Sequence, residues 1–145
     1  GRDAKMIEAP AAHPAPGMDG ACRVLVVEDY EPNALVVAAM LDASGYSYEI
    51  ATSGREALSM FQRSGFNAIL MDVQMPGLDG FETTRRIRAL EQERGLPHTP
   101  IIAVTAHVLE RDREDCIRAG MDDFIAKPYT LDVLASKLGQ FSAKH

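Results

Sequence analysis

Ala68-Ile69-Leu70-Met71-Asp72-Val73-Gln74-Met75-Pro76-Gly77-Leu78-Asp79-Gly80 is the stretch on which the fold turns. Four apolar residues closing on a carboxylate, with a Pro/Gly turn just beyond, predict a short buried strand with Asp72 at its exposed carboxyl end. Open α/β sheets bind their ligands at that edge. Three other segments share the form: Val24-Leu25-Val26-Val27 runs into Glu28-Asp29, Ile101-Ile102-Ala103-Val104 into Thr105, and Phe124-Ile125-Ala126 into Lys127. Parallel strands would bring these four ends to one crevice holding three acids, a hydroxyl and an amine.

Helical patterns fill the gaps between the strands. Pro32 stands where a first helical turn tolerates proline, and Leu35, Val36, Ala39 and Met40 recur at helical spacing until Gly45. A short strand around Tyr48 to Ala51 leads through Ser53-Gly54 into a helix with Ala57, Leu58 and Phe61, closed by Gly65. A third helix runs from about Gly80 to Glu93, with Asp79 at its cap and Phe81, Thr84, Ile87 and Leu90 on one face. A fourth covers Val108 to Ala119 and carries Cys116 as a buried small hydrophobe, and a last one follows Thr130 as its cap, with Leu131, Leu134 and Leu138. Five strands alternating with five helices predict an α/β fold, a doubly wound five-stranded parallel sheet flanked by five helices. Residues 22–142 form this domain. Residues 1–21, rich in Ala and Pro and poor in large apolar side chains, read as a linker or tail that is disordered.

Composition narrows the function. The chain has 145 residues, 21 acids against 15 Lys and Arg, a net charge of −6, and no basic aromatic face, which argues against direct nucleic-acid binding. It contains no apolar run long enough to span a membrane, so this domain by itself is not expected to contact one, whereas a longer parent protein can be membrane-anchored. Cys22 and Cys116 are too few for a disulfide framework or a metal knuckle and read as reduced thiols of a cytoplasmic protein.

Charge then specifies the chemistry of the crevice. Glu28, Asp29 and Asp72 at neighbouring strand ends repel by roughly 4 kcal/mol per close pair at an effective dielectric near 20. A cation must therefore sit among them, and oxygen donors without His or Cys favour a hard one, Mg²⁺. Lys127 adds a fixed positive charge and Thr105 a hydroxyl, both suited to phosphoryl oxygens. Asp72, the acid alone on its strand end, is the candidate nucleophile for an aspartyl-phosphate. Glu28 and Asp29 are candidate metal ligands. Taken singly, Asp72 reads as a turn acid, Thr105 as a cap and Lys127 as a solvated amine; the joint pattern favours the site. His107 and His98 read as surface or loop residues, and Asp122 and Asp123 as turn and cap residues.

Glu28-Asp29, Asp72-x-x-Met75-Pro76-x-Leu78-Asp79-Gly80, Thr105-Ala106 and Lys127-Pro128, in this order and spacing, resemble the receiver (REC) domain of two-component response regulators. The flavodoxin-like receiver topology is implied over about Arg23 to Phe141. The resemblance implies that Asp72 is the phosphoacceptor, that Glu28 and Asp29 hold Mg²⁺ (or Mn²⁺) together with Asp72 and the backbone carbonyl of Gln74, and that Lys127 contacts the phosphoryl group. It implies Thr105 and Phe124 as a switch pair, and a domain that promotes its own phosphorylation and dephosphorylation. The stretches Met71 to Gly80 and Ala119 to Pro128 are most similar to receivers of hybrid sensor histidine kinases, which implies a kinase core or a histidine phosphotransfer protein as partner. The surface of the fourth helix, fifth strand and fifth helix would change on phosphorylation, in a monomer or weak dimer.

Some residues depart from the commonest pattern. Glu28 stands where Asp is more frequent, and Tyr30 and Tyr129 replace the usual neighbours of the acidic pair and of Lys127-Pro128. Other readings are a stand-alone regulator, a receiver fold that binds without phosphorylation, and a metal-dependent phosphohydrolase or flavodoxin-like cofactor binder. The mutually repelling acids argue against the unphosphorylated module. Gln74 in place of a second acid, and the lack of a Gly-rich loop after the first strand, argue against the last.

Overall fold

Buried strands and capped helices alternate along the chain as the sequence pattern requires. The structure, a computed structural model, describes residues 22–73, 79–106 and 110–142. Gln74, His107 and the first 21 residues lie outside them. The order is β1 (Arg23–Val27), α1 (Glu31–Ala43), β2 (Ser47–Ala51), α2 (Gly54–Arg63), β3 (Ala68–Asp72), α3 (Gly80–Arg94), β4 (Ile101–Thr105), α4 (Glu110–Ala119), β5 (Asp123–Ala126) and α5 (Leu131–Ser142). Local chemistry sets several of these limits. Ser53 accepts from the Glu56 N–H at 3.1 Å while the Glu56 carboxylate accepts from the Thr52 N–H, closing the start of α2 on itself. Asp79 caps α3 through the Glu82 N–H at 2.9 Å, and Thr130 caps α5 through the Val133 N–H. Gly95, at φ 64°, ends α3 in the left-handed conformation that glycine adopts without penalty.

The five strands are all parallel, in the order β2-β1-β3-β4-β5. β3 and β4 are buried at every residue, as expected of strands covered on both faces. Helices pack on either side of the sheet. Ala57 and Phe61 of α2, Ile87 of α3 and Cys116 of α4 join Leu25, Ile69, Met71, Ile101 and Ala103 in one core layer. Val37 and Leu41 of α1 and Leu134 and Leu138 of α5 join Val24, Val26, Leu70, Ile102 and Val104 in the other. This is the doubly wound sheet that the sequence predicts, and its carboxyl edge collects the ends of β1, β3, β4 and β5.

One helix turns a face to the sheet other than the one its spacing suggests, and another buries more than the face expected of it. On α1 the buried residues are Ala34, Val37, Ala38 and Leu41, whereas Leu35 and Val36 are 60% and 54% exposed. The helix is apolar almost all round, so spacing alone does not orient it, and the small Ala34 and Ala38 are the side chains that let it lie close to the sheet. On α3 the buried set is Gly80, Thr83, Thr84, Ile87 and Glu91, with Phe81 and Leu90 only partly covered. Glu91 is tolerated inside because its carboxylate accepts from both Arg88 Nη1 and the Thr99 N–H. Arg88 in turn donates to the carbonyls of Gly120 and Thr99 and to Asp122, whose other oxygen lies 2.8 Å from His98 Nε2. Asp122 is thus a member of an ion network at the amino ends of the strands, beyond the turn role its sequence suggests.

Candidate functional site

Strand register builds the crevice. Val27 pairs with Met71, so Glu28 and Asp72 leave adjacent strands at the same height, and Asp72 is paired across to Val104, one residue before Thr105. The Glu28 N–H donates to the Ala51 carbonyl, which carries the chain one residue beyond β1 before it turns away. Thr105 lies opposite Ala126, and its carbonyl accepts from the Lys127 N–H at 2.8 Å, which anchors the lysine backbone where β5 ends. The Lys127-Pro128 peptide is cis.

Each of the four strand ends therefore delivers its residue to one place. Glu28, Asp29 and Asp72 each offer a carboxylate oxygen, and these atoms lie within 4.8 Å of one another. Glu28 and Asp72 are each 4% exposed, while Asp29 faces solvent at the mouth. Lys127 Nζ stands 3.6 Å from Glu28 Oε1 and 3.8 Å from Asp72 Oδ2. It is close enough to attract both acids and too far to hydrogen-bond either in the ordinary range. Thr105, 4% exposed, completes the wall. Gln74 falls outside the described residues.

The electrostatics are those of a site short of positive charge. Burial, and next the Asp72 carboxylate, push the Glu28 carboxyl above its usual range, against the Tyr30 N–H, 3.2 Å from Glu28 Oε2, and Lys127. Three acids facing one amine with an all-oxygen donor set fit a hard divalent cation, which Glu28, Asp29 and Asp72 would hold. Tyr129, two residues past Lys127, is pushed up to about 12 by burial and then by the charges of Glu28 and Asp72. Its nearness to the acids is not visible in the sequence, where it stands out only as a departure from the usual residue. With Asn33, Val36, Val37 and Met40 of α1, it lines a hollow of about 190 Å³ that reaches Glu28 and Lys127.

Phe124 occupies β5 opposite Ala103 and packs half-buried against the core layer below α4. The Arg113 guanidinium of α4 lies over its ring, 5.2 Å from the centroid. Lys137 of α5 binds Asp123 at 2.8 Å on the neighbouring residue of β5.

A buried acid alone on the central strand, an acidic pair beside it, and a lysine and a threonine on the next two strand ends define a class of phosphoacceptor-like α/β domains. The comparisons agree in family. The family model for the response regulator receiver domain matches residues 24–139, and the chain belongs to that family. Sensor protein GacS of Pseudomonas syringae pv. syringae is 40% identical over 113 residues, 78% of this chain, and this chain spans 12% of that relative's length. The receiver domain of sensor histidine kinase PA1611 from Pseudomonas aeruginosa, whose structure has a magnesium ion coordinated in the active site cleft, superposes with a TM-score of 0.77 at 41% identity. That match covers 85% of this chain and 98% of that one. The receiver domain of Ssk1 from Saccharomyces cerevisiae, crystallised with the histidine phosphotransfer protein Ypd1, gives a TM-score of 0.80 at 30% identity, covering 85% and 90%. The protein is a receiver domain of two-component signalling, homologous to the receiver modules of hybrid histidine kinases. No helix among the described residues is long and apolar enough to cross a membrane.

Proposed function

We propose that residues 22–142 accept a phosphoryl group on Asp72 from a phosphohistidine, with Mg²⁺, or Mn²⁺ in its place, held by Glu28, Asp29, Asp72 and the Gln74 carbonyl. The observation that carries this reading is the meeting of three carboxylates within 4.8 Å, with Lys127 Nζ at 3.6 and 3.8 Å from two of them. In it, an Asp72 oxygen attacks phosphorus, the bond from phosphorus to the donor nitrogen breaks, and the electron pair leaves with the imidazole. Lys127 and Thr105 meet the phosphoryl oxygens, so the work of the protein is positioning and charge neutralisation. Thr105 and Phe124 then act as the switch pair, and the surface of α4, β5 and α5 carries the change to a kinase core or a histidine phosphotransfer protein. Homology to hybrid-kinase receivers supports a place in such a kinase, in the cytoplasm, as a monomer or weak dimer. Exposed Tyr30, whose N–H lies 3.2 Å from Glu28 Oε2, and exposed Val36, which lines the hollow beside Glu28, give the crevice an apolar rim against which a donor helix can seat.

Incubation with Mg²⁺ and acetyl phosphate tests the reading by mass spectrometry. The expected result is an acid-stable, base-labile gain of one phosphoryl group that requires the metal and is lost in Asp72→Asn. No gain in the parent protein, or an undiminished gain in the variant, would overturn it.

A further inference from the structure

We infer that Arg113 is a latch on Phe124, holding its ring under α4 and away from Thr105, so that Arg113 sets how readily the phosphorylated arrangement is reached. The inference rests on the reading of Thr105 and Phe124 as a switch pair.

The register places the moving parts. Ala103 pairs with Phe124 and Thr105 with Ala126, and side chains two apart on a strand share a face, so Phe124 and Thr105 lie diagonally on the side covered by α4. Their register partners are both alanine, so the corner between ring and hydroxyl holds no bulky side chain of β4 or β5. Above the ring lies Arg113 of α4, its guanidinium 5.2 Å from the centroid. Around the ring, α4, the α4–β5 connection and β5 wall a hollow of about 140 Å³, lined by Arg113, Cys116, Ile117, Met121, Asp122, Asp123 and Phe124. A cation over an aromatic face at such a partly exposed site favours that ring position about two- to fivefold. Motion of the ring toward Thr105 must forfeit this contact. Among the described residues Arg113 lines the α4–β5 hollow, and Glu28 and Lys127 line a different one, so it acts through Phe124 as a positioning residue.

The test uses the whole chain with Mg²⁺ and beryllium trifluoride as the phosphoryl mimic, read by titration calorimetry, and with ¹³C-labelled Phe rings read by NMR. In Arg113→Ala the mimic is expected to bind about two- to fivefold more tightly, and the metal-free Phe124 ring signal to move toward its mimic-bound position. Arg113→Lys, which retains a cation, should fall between Arg113→Ala and the parent. In a Phe124→Leu background, Arg113→Ala should change nothing, because no ring remains to hold. Unchanged affinity and ring signal in Arg113→Ala, or an equal gain without the ring, would overturn the latch. Failure of the parent protein to bind the mimic would instead overturn the phosphoacceptor reading; a metal-free Phe124 ring signal that shifts in Arg113→Ala would then still support the latch, and an unshifted one would overturn it.

Discussion

Glu28 shows how a single buried acid ties stability to function. Its carboxyl is raised above the unfolded value of 4.5 by burial and by Asp72, so the folded state holds the proton more tightly than the unfolded chain. The stability this gives is complete below the unfolded value and is lost as pH climbs through the raised one. Metal-free protein should therefore weaken as pH rises from 4.5 across that window. Glu28→Gln should flatten this part of the curve and melt higher than the parent at neutral pH without metal. It should also lose most of the Mg²⁺ gain, which for the parent is about 2.7 kcal/mol at a hundredfold excess over the dissociation constant. Melting curves against pH, with and without Mg²⁺, check all three; an unflattened curve in the variant would assign the pH dependence to another group. Glu28, Asp29, Asp72, Thr105 and Lys127 were readable in the sequence because each follows an apolar run, and a strand end is a place that local pattern can define. The positions of Tyr129 near the acids and Arg113 over Phe124 were not, since both depend on how a neighbouring element is turned.

At the scale of elements, the start of α3 lies close against the end of β3. A Cβ built on Gly80 would lie 2.5 Å from the Asp72 carbonyl oxygen and 2.8 Å from Val73 Cα. Both are backbone atoms at the end of β3, so neither can swing aside. Gly80→Ala should therefore cost about 1–3 kcal/mol in urea unfolding, and it should slow labelling of Asp72 by acetyl phosphate because the strand end must shift. An unchanged denaturation midpoint would show that the helix can recede freely. Here the sequence was legible in part: Asp79-Gly80 reads as the start of α3, while the reason for glycine lies in a strand eight residues earlier. The buried face of α1 is hidden from the sequence for a related cause. Where Leu35, Val36, Val37, Ala38 and Leu41 are all apolar, the choice of which to bury belongs to the sheet, and the sheet takes Val37, Ala38 and Leu41.

Across the whole molecule the two poles of the sheet are built oppositely. At the carboxyl pole acids crowd together; at the amino pole Arg88 ties α3 to the segments entering β4 and β5 through Glu91, Thr99, Gly120 and Asp122. Glu91 is 6% exposed, so Arg88→Met should leave a buried charge short of its partner and destabilise by about 3–5 kcal/mol, whereas Arg88→Met with Glu91→Leu should recover most of the loss. Denaturant unfolding of both variants distinguishes a buried ion pair of this kind from a surface one, for which the single change would cost little. None of this network is foreseeable from spacing, because its members lie 3 to 34 residues apart in the chain. The parallel topology also settles where the domain's two ends emerge. β1 starts at the amino pole, and α5, which follows β5, runs back toward it, with Cys22 and Phe141 packed against the same core layer. Polypeptide spliced onto either end would leave Asp72 facing away from the splice, so the fold can be inserted in a longer assembly without screening the edge where its acids gather.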